Sequence, residues 1–268
     1  MRAILGGLAA LAISTNAWSA DMLRGSAPAF GEASSYSWAG IYFGAQGGIA
    51  NADFEFGDAT GPMIQNLLRQ TLIENEFQIS TFPSLPNRDK RGNSFGGFVG
   101  YNSQWGDVVL GAELNYSHTK MDTAVSEDFI GRRVTLSNDE VIDVGVTSRA
   151  SAQLTDYGTL RLRAGYAYNW FMPYAMVGLA AGAADVSRSV TVTQFNATTP
   201  PGFDYATLAA SESKTGVISI GYMAGLGVDI GLMPGVFVRA EYEFVQFADF
   251  DDIPVRVSTG RLALGIKF

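Results

Sequence analysis

The sequence predicts an all-β fold, an eight-stranded antiparallel up-and-down barrel, on three observations. Stretch after stretch alternates large apolar with small or charged side chains, a two-residue period that gives a strand one oily and one polar face. The connections between these stretches run long, short, long, short, long, short and intermediate. The N-terminus has the layout of an export segment, and nothing after it is an apolar run long enough for a membrane-spanning helix. If such a chain enters a membrane, it crosses as strands.

The final stretch, residues 257–268, shows the pattern most plainly. Leu262, Leu264, Ile266 and Phe268 fall on one face, and Arg261, Ala263, Gly265 and Lys267 on the other. At the opposite end, Arg2 supplies a basic start, residues 3–13 are apolar and uncharged, and Ala17, Ser19 and Ala20 precede Asp21. This layout predicts a signal peptide at 1–20, cut after Ala20. Residues 21–35, rich in Ser, Ala, Gly and Pro, are predicted to be a flexible periplasmic leader, and 36–268 the barrel.

The strands follow in order. Residues 36–48 give Ile41, Phe43 and Ala45 on one face and Gly40, Tyr42, Gly44, Gln46 and Gly48 on an inward one. Small inward residues make room for a few large ones in a narrow barrel. Residues 51–91 are the first long interruption. Within it, Leu67, Leu68, Leu72 and Ile73 predict a short helix or ordered cap over 63–79. Residues 92–105 and 108–117 are the second and third strands, joined by a tight turn at Gly106-Asp107. Residues 119–150 read as a second long polar excursion, and 151–170 as the fourth strand. The fifth strand spans 174–192, with a facing that its small residues leave ambiguous. A third long loop at 193–213, containing Pro200-Pro201-Gly202, precedes strands at 214–230 and 236–247. An acidic loop at 249–254 leads into the last strand.

Both termini fall on the short-turn side, so short periplasmic turns and long extracellular loops are the expected layout, in a cell outer membrane. A soluble eight-stranded barrel would bury its oily face inward. Tyr and Trp near strand ends favour the membrane form, and Trp38, Tyr101, Trp105, Tyr168, Trp170 and Phe268 are the predicted interfacial girdle. With no cysteine, the chain can form neither a disulfide nor a Cys-based metal site. A net charge of −8, without a basic cluster, argues against nucleic acid as a partner.

Trp38-Ala39-Gly40-Ile41-Tyr42, Pro173-Tyr174-Ala175, Arg239-Ala240-Glu241-Tyr242 and the Phe268 terminus together resemble the small outer-membrane β-barrel proteins, porin-family or opacity-like, of alpha-proteobacteria. That resemblance implies an integral outer-membrane barrel surrounded by lipid and lipopolysaccharide. It also implies insertion by the outer-membrane barrel assembly machinery through the C-terminal strand. Relatives include porins, structural envelope proteins, surface antigens and haem binders. A monomer is expected, with no cofactor and no enzymatic activity.

The inward set contains Glu113, Arg161, Arg163, Asp229, Arg239, Glu241, Glu243, Arg261 and Lys267. An eight-stranded interior is only wide enough for side chains to fill it. Paired charges are the tolerable form of buried ones. These residues are therefore expected to interlock as a plug, with Arg239 and Glu241 near Arg261, in a structural or surface-interaction barrel. The alternative is a narrow small-solute porin lined by the same groups. His118, the lone histidine, sits beside Ser117, but a nucleophilic pair needs an orienting acid, and Glu113 lies on the opposite face. A solvated rim histidine is expected. The acidic loop residues Asp122, Glu127, Asp128, Asp139, Glu140, Asp249, Asp251 and Asp252 are expected to serve solubility rather than cation binding.

Overall fold

The computed structural model describes residues 36–198 and 205–268. The predicted signal peptide, its cleavage after Ala20 and the leader at 21–35 lie outside the described residues, as do Pro200, Pro201 and Gly202. Among the described residues are eight strands: β1 Gly40–Phe54, β2 Arg88–Trp105, β3 Val108–Thr135, β4 Val141–Tyr166, β5 Phe171–Asn196, β6 Tyr205–Met233, β7 Val236–Asp249 and β8 Pro254–Lys267. Each pairs antiparallel with the next, and β8 pairs with β1, so the sheet returns on itself. The tight turns at Gly106 and Gly235 use positive φ values of 58° and 82°, which glycine adopts at little steric cost.

Alternation sorts the side chains by face. On β4, Leu162 is 63% exposed on the outside while its neighbour Arg161 is 0% exposed on the inside. Ile41, Phe43, Leu110, Leu114, Val177, Leu179, Ile220 and Leu264 continue the outward set as an apolar band. The ambiguous facing of the fifth strand resolves with Tyr174 and Met176 inside and Val177 and Leu179 outside.

Two loop expectations are corrected. Residues 119–150 are mostly strand: β3 runs on to Thr135 and β4 begins at Val141, joined by a turn closed by Leu136 N–H donating to Glu140 O at 2.8 Å. β5 and β6 likewise take in much of 193–213. These four strands have 28, 26, 26 and 29 residues, against 14 to 18 for the other four. A bilayer crossing needs only about 9–11. The surplus stands up as a curved half-wall. Its alternation persists, but with Val144, Val146, Val190 and Val192 inward and polar residues such as Thr147 and Ser187 outward. A polar outward face therefore resembles a loop in the sequence.

The predicted cap over 63–79 is two short helices, α1 Gly61–Leu67 and α2 Leu72–Phe77, followed by a 3-10 turn at Ile79–Thr81. Gln70 takes φ 69° between them, and Thr71 caps α2 by accepting from Glu74 N–H at 3.4 Å. The break turns Leu72 to solvent while Ile64, Leu68, Ile73 and Ile79 pack against the half-wall valines. Pairing shifts register between His118 and Met121, Leu154 and Asp156, and Ala184 and Val186. All three irregularities sit where the apolar band ends and the half-wall begins. β-bulges at such rims bend strands and re-aim side chains.

Candidate functional site: the ionic interior

Inside the band, sheet register builds the site. Glu113 of β3 faces Arg161 of β4, Asp229 of β6 faces Arg239 of β7, and Glu241 of β7 faces Arg261 of β8. Opposite charges directly across a ladder attract, and here four arginines and four carboxylates join into one network. Arg161 reaches Glu113, Glu241 at 2.8 Å and Glu243 at 2.9 Å. Arg163 holds Asp229 at 2.6 Å and Glu113 at 3.1 Å. Arg239 holds Asp229 at 2.8 Å and Glu113 at 2.9 Å, and Arg261 holds Glu241 at 2.7 Å and pairs with Glu243. Arg239 thus bonds Glu113 and Asp229, while Glu241 and Glu243 are the β7 partners of Arg261.

Aromatic rings thread through the ions. Tyr42 Oη donates to Glu113 at 2.8 Å, and Tyr174 Oη donates to Glu241 at 2.7 Å. The guanidinium of Arg163 lies 3.8 Å from the Tyr174 ring centroid and that of Arg239 lies 4.2 Å from Phe98, as cation–π contacts. Facing glycines supply the space: a Cβ on Gly100 would come within 2.4 Å of the Tyr42 hydroxyl, and one on Gly265 within 2.2 Å of the Phe237 ring. Above the ions, Gln46 and Asn115 exchange amide hydrogen bonds of 3.1 and 2.9 Å. Tyr157 Oη and Thr259 Oγ1 lie 3.1 Å apart.

Lys267, the ninth predicted member, is absent from the network. Its ammonium donates to Ala39 O at 3.1 Å at the short-turn mouth. The girdle assignment also needs correction at two positions. Trp38 is buried, its indole N–H donating to Asn169 O at 2.9 Å, and Trp170 packs 4.7 Å from Tyr36. The segment before β1 folds into the mouth, so an aromatic near a strand end packs inward instead of facing out. Tyr101, Trp105, Tyr168 and Phe268 remain exposed outside.

At the opposite end lies a cluster that the sequence reading missed. Arg188, on an inward position of β5, is buried and reaches Ala59 O at 3.0 Å, Glu212 at 3.0 Å, Asp252 at 3.3 Å and Asp251. It ties the residues before α1 and the β7–β8 connection to the half-wall. Its inward position was the available signal, hidden because residues 185–192 look like a polar rim. Two of the acidic loop residues, Asp251 and Asp252, are accounted for by this arginine.

His118 Nδ1 lies 2.8 Å from Asp156 Oδ1 on the exposed outer face, while Ser117 points inward and is buried. Serine and histidine are therefore not brought together. Among the described residues no cluster of His, Asp and Glu has the arrangement to hold a metal ion.

An antiparallel sheet that is oily outside and ionic inside defines an integral outer-membrane barrel protein. The chain belongs to the family described as outer membrane protein beta-barrel domain, whose model matches residues 8–268. It is similar to a 22 kDa outer membrane protein of Rhizobium leguminosarum bv. viciae, 27% identical over 190 residues, 67% of this chain and 69% of that one. It is also similar to a 31 kDa outer-membrane immunogenic protein of Brucella melitensis, 25% identical over 99% of this chain and 98% of that one. Among solved structures, the attachment invasion locus protein Ail of Yersinia pestis aligns with 86% of this chain and 100% of its own, at 15% identity and TM-score 0.36. Neisserial surface protein A aligns with 86% and 98%, at 13% identity and TM-score 0.37. The chain is a small integral protein of the Gram-negative outer membrane.

Proposed function

We propose that the mature chain is a closed, eight-stranded transmembrane barrel of the porin-family, opacity-like kind, with a lumen plugged by its own side chains. It works as an envelope and surface-interaction protein rather than a channel. Its apolar band faces lipid, its short turns and termini are periplasmic, and its half-wall and cap are extracellular. It inserts as a monomer through the assembly machinery, led by β8. The observation that carries this reading is the burial of the ion network: none of its eight charged side chains is more than 5% exposed. Water and ions cannot pass where every charge is already paired and covered. Two further closures support it, the Tyr36–Trp38–Trp170 stopper below and the α1–α2 cap above.

The test is planar-bilayer conductance with protein shown on a gel to be folded by its heat-shifted mobility. The folded protein gives no steady channel under this proposal. A reproducible open channel would establish the porin reading instead.

A further inference from the structure

The outer face of the half-wall is polar except around Phe129. This residue is 63% exposed and lies at the register shift between Glu127 and Ile130. It stands about 13 residues beyond Tyr116, roughly 40 Å along the strand and, at a 45° tilt, nearly 30 Å above the band. Lipid does not reach that height. Its φ is 54°, a left-handed conformation that phenylalanine seldom takes. Strained backbone of this kind gathers at ligand clamps.

The surroundings are shaped to that ring. Gly131 and Gly145 face each other across β3 and β4 beneath it. A Cβ on Gly145 would come within 2.0 Å of the ring and one on Gly131 within 2.8 Å. Beside it a cleft of about 630 Å³ opens, bordered by Phe195, Thr193, Arg133 and Asp143. Arg133 donates to both carboxylate oxygens of Asp143 at 2.7 Å, forming a flat polar edge without net charge.

We infer that this cleft binds a pyranose unit of the lipopolysaccharide saccharide. A pyranose offers an apolar C–H face to an aromatic ring and a rim of hydroxyls to planar polar groups. The Phe129 ring supplies the first surface, and the Arg133–Asp143 pair and Thr193 hydroxyl supply the second. The volume falls in the ordinary range of small-ligand sites. The occupant follows from direction: the cleft opens sideways from the half-wall, and lipopolysaccharide saccharide chains stand beside an outer-membrane barrel at that height. This inference rests on the surface-barrel reading above.

The test is calorimetric titration of the folded, detergent-solubilised protein with delipidated saccharide released by mild acid from the lipopolysaccharide of its native cells. Dextran is the comparison glycan. Saturable binding is expected, weakened at least tenfold by Phe129→Ala and by Gly145→Ala, which crowds the ring from below. Each variant must show the heat-shifted mobility of a folded barrel; if one does not fold, the other decides. No binding by the folded wild type, equal binding of dextran, or undiminished binding by the folded variants overturns the inference. Failure of the surface-barrel reading would appear separately, as a chain that folds without detergent.

Discussion

The same strands are built in opposite senses above and below one seam. Below it, β4 places Leu160 and Leu162 outside and Arg161 and Arg163 inside. Above it, β5 places Ser187 and Thr191 outside and Val190 and Val192 inside. The two-residue period is common to both regions, whereas the outer surroundings change from acyl chains to water. Each region therefore buries whatever its surroundings reject. The interior of the lower region is filled by paired charges, and that of the upper by hydrophobic packing of a cap. The register shifts at the seam let one sheet serve both.

The sharpest way to break this contrast is to remove one lumen charge. Arg161→Ala removes the cation shared by Glu113, Glu241 and Glu243 and leaves four buried carboxylates to three arginines, and losing one partner of a buried pair costs about 3–5 kcal/mol. Urea unfolding followed by gel mobility should show a lower midpoint by that amount. An unchanged midpoint would mean that the lumen tolerates bare charge by admitting water.

Next in size is a charge placed on the outer face. Leu162→Arg should destabilise the folded barrel in lipid by about 2–4 kcal/mol, as for a charge near the bilayer midplane. Thr191→Arg, on the outer face of the half-wall, should change it by less than about 0.5 kcal/mol. Similar costs at the two positions would erase the seam.

In the cap, Leu68→Ala removes a buried contact worth about 2–3 kcal/mol. The effect should be confined to the upper region: faster proteolysis between α1 and α2, with the unfolding midpoint of the barrel unmoved. Arg188→Met should loosen the cap by a smaller amount, about 1–2 kcal/mol. Lys214 still holds Glu212 at 2.9 Å and Asp251 at 2.7 Å, so those acids are not abandoned.

The smallest expected effect is of pH. Hydrogen bonding from Arg133 holds the Asp143 carboxyl below its ordinary range, and Lys214 does the same for Glu212. A depressed folded pKa gives stability that is present above the ordinary value and lost as pH falls through the folded one. Both pairs are exposed, so the change is slight. Amide protection in the 131–145 hairpin, taken relative to intrinsic exchange at each pH, should therefore fall only below about pH 4, while the band strands stay protected.

Much of the lower region could be read from the sequence because lipid imposes strict alternation. The inward placement of Arg161, Arg163, Arg239 and Glu241 follows from counting by two. Their actual partners do not, since these depend on stagger between strands: Arg239 bonding Asp229 and Glu113 required the register. The upper region was less legible. Val144 and Val146 alternate with Asp143 and Thr147, but against a polar outer face this reads as a loop. Trp38 misled for a different reason: its composition suits an interface, and only the fold of residues 36–39 into the mouth shows its real contact with Asn169.

The seam is tested most directly by labelling, which the absence of native cysteine makes clean. Single-cysteine variants Leu162→Cys and Ser187→Cys would be exposed on intact cells to a membrane-impermeant maleimide. The account predicts rapid labelling at 187 and none at 162 until the protein is extracted and unfolded. Equal labelling of the two on intact cells would contradict it.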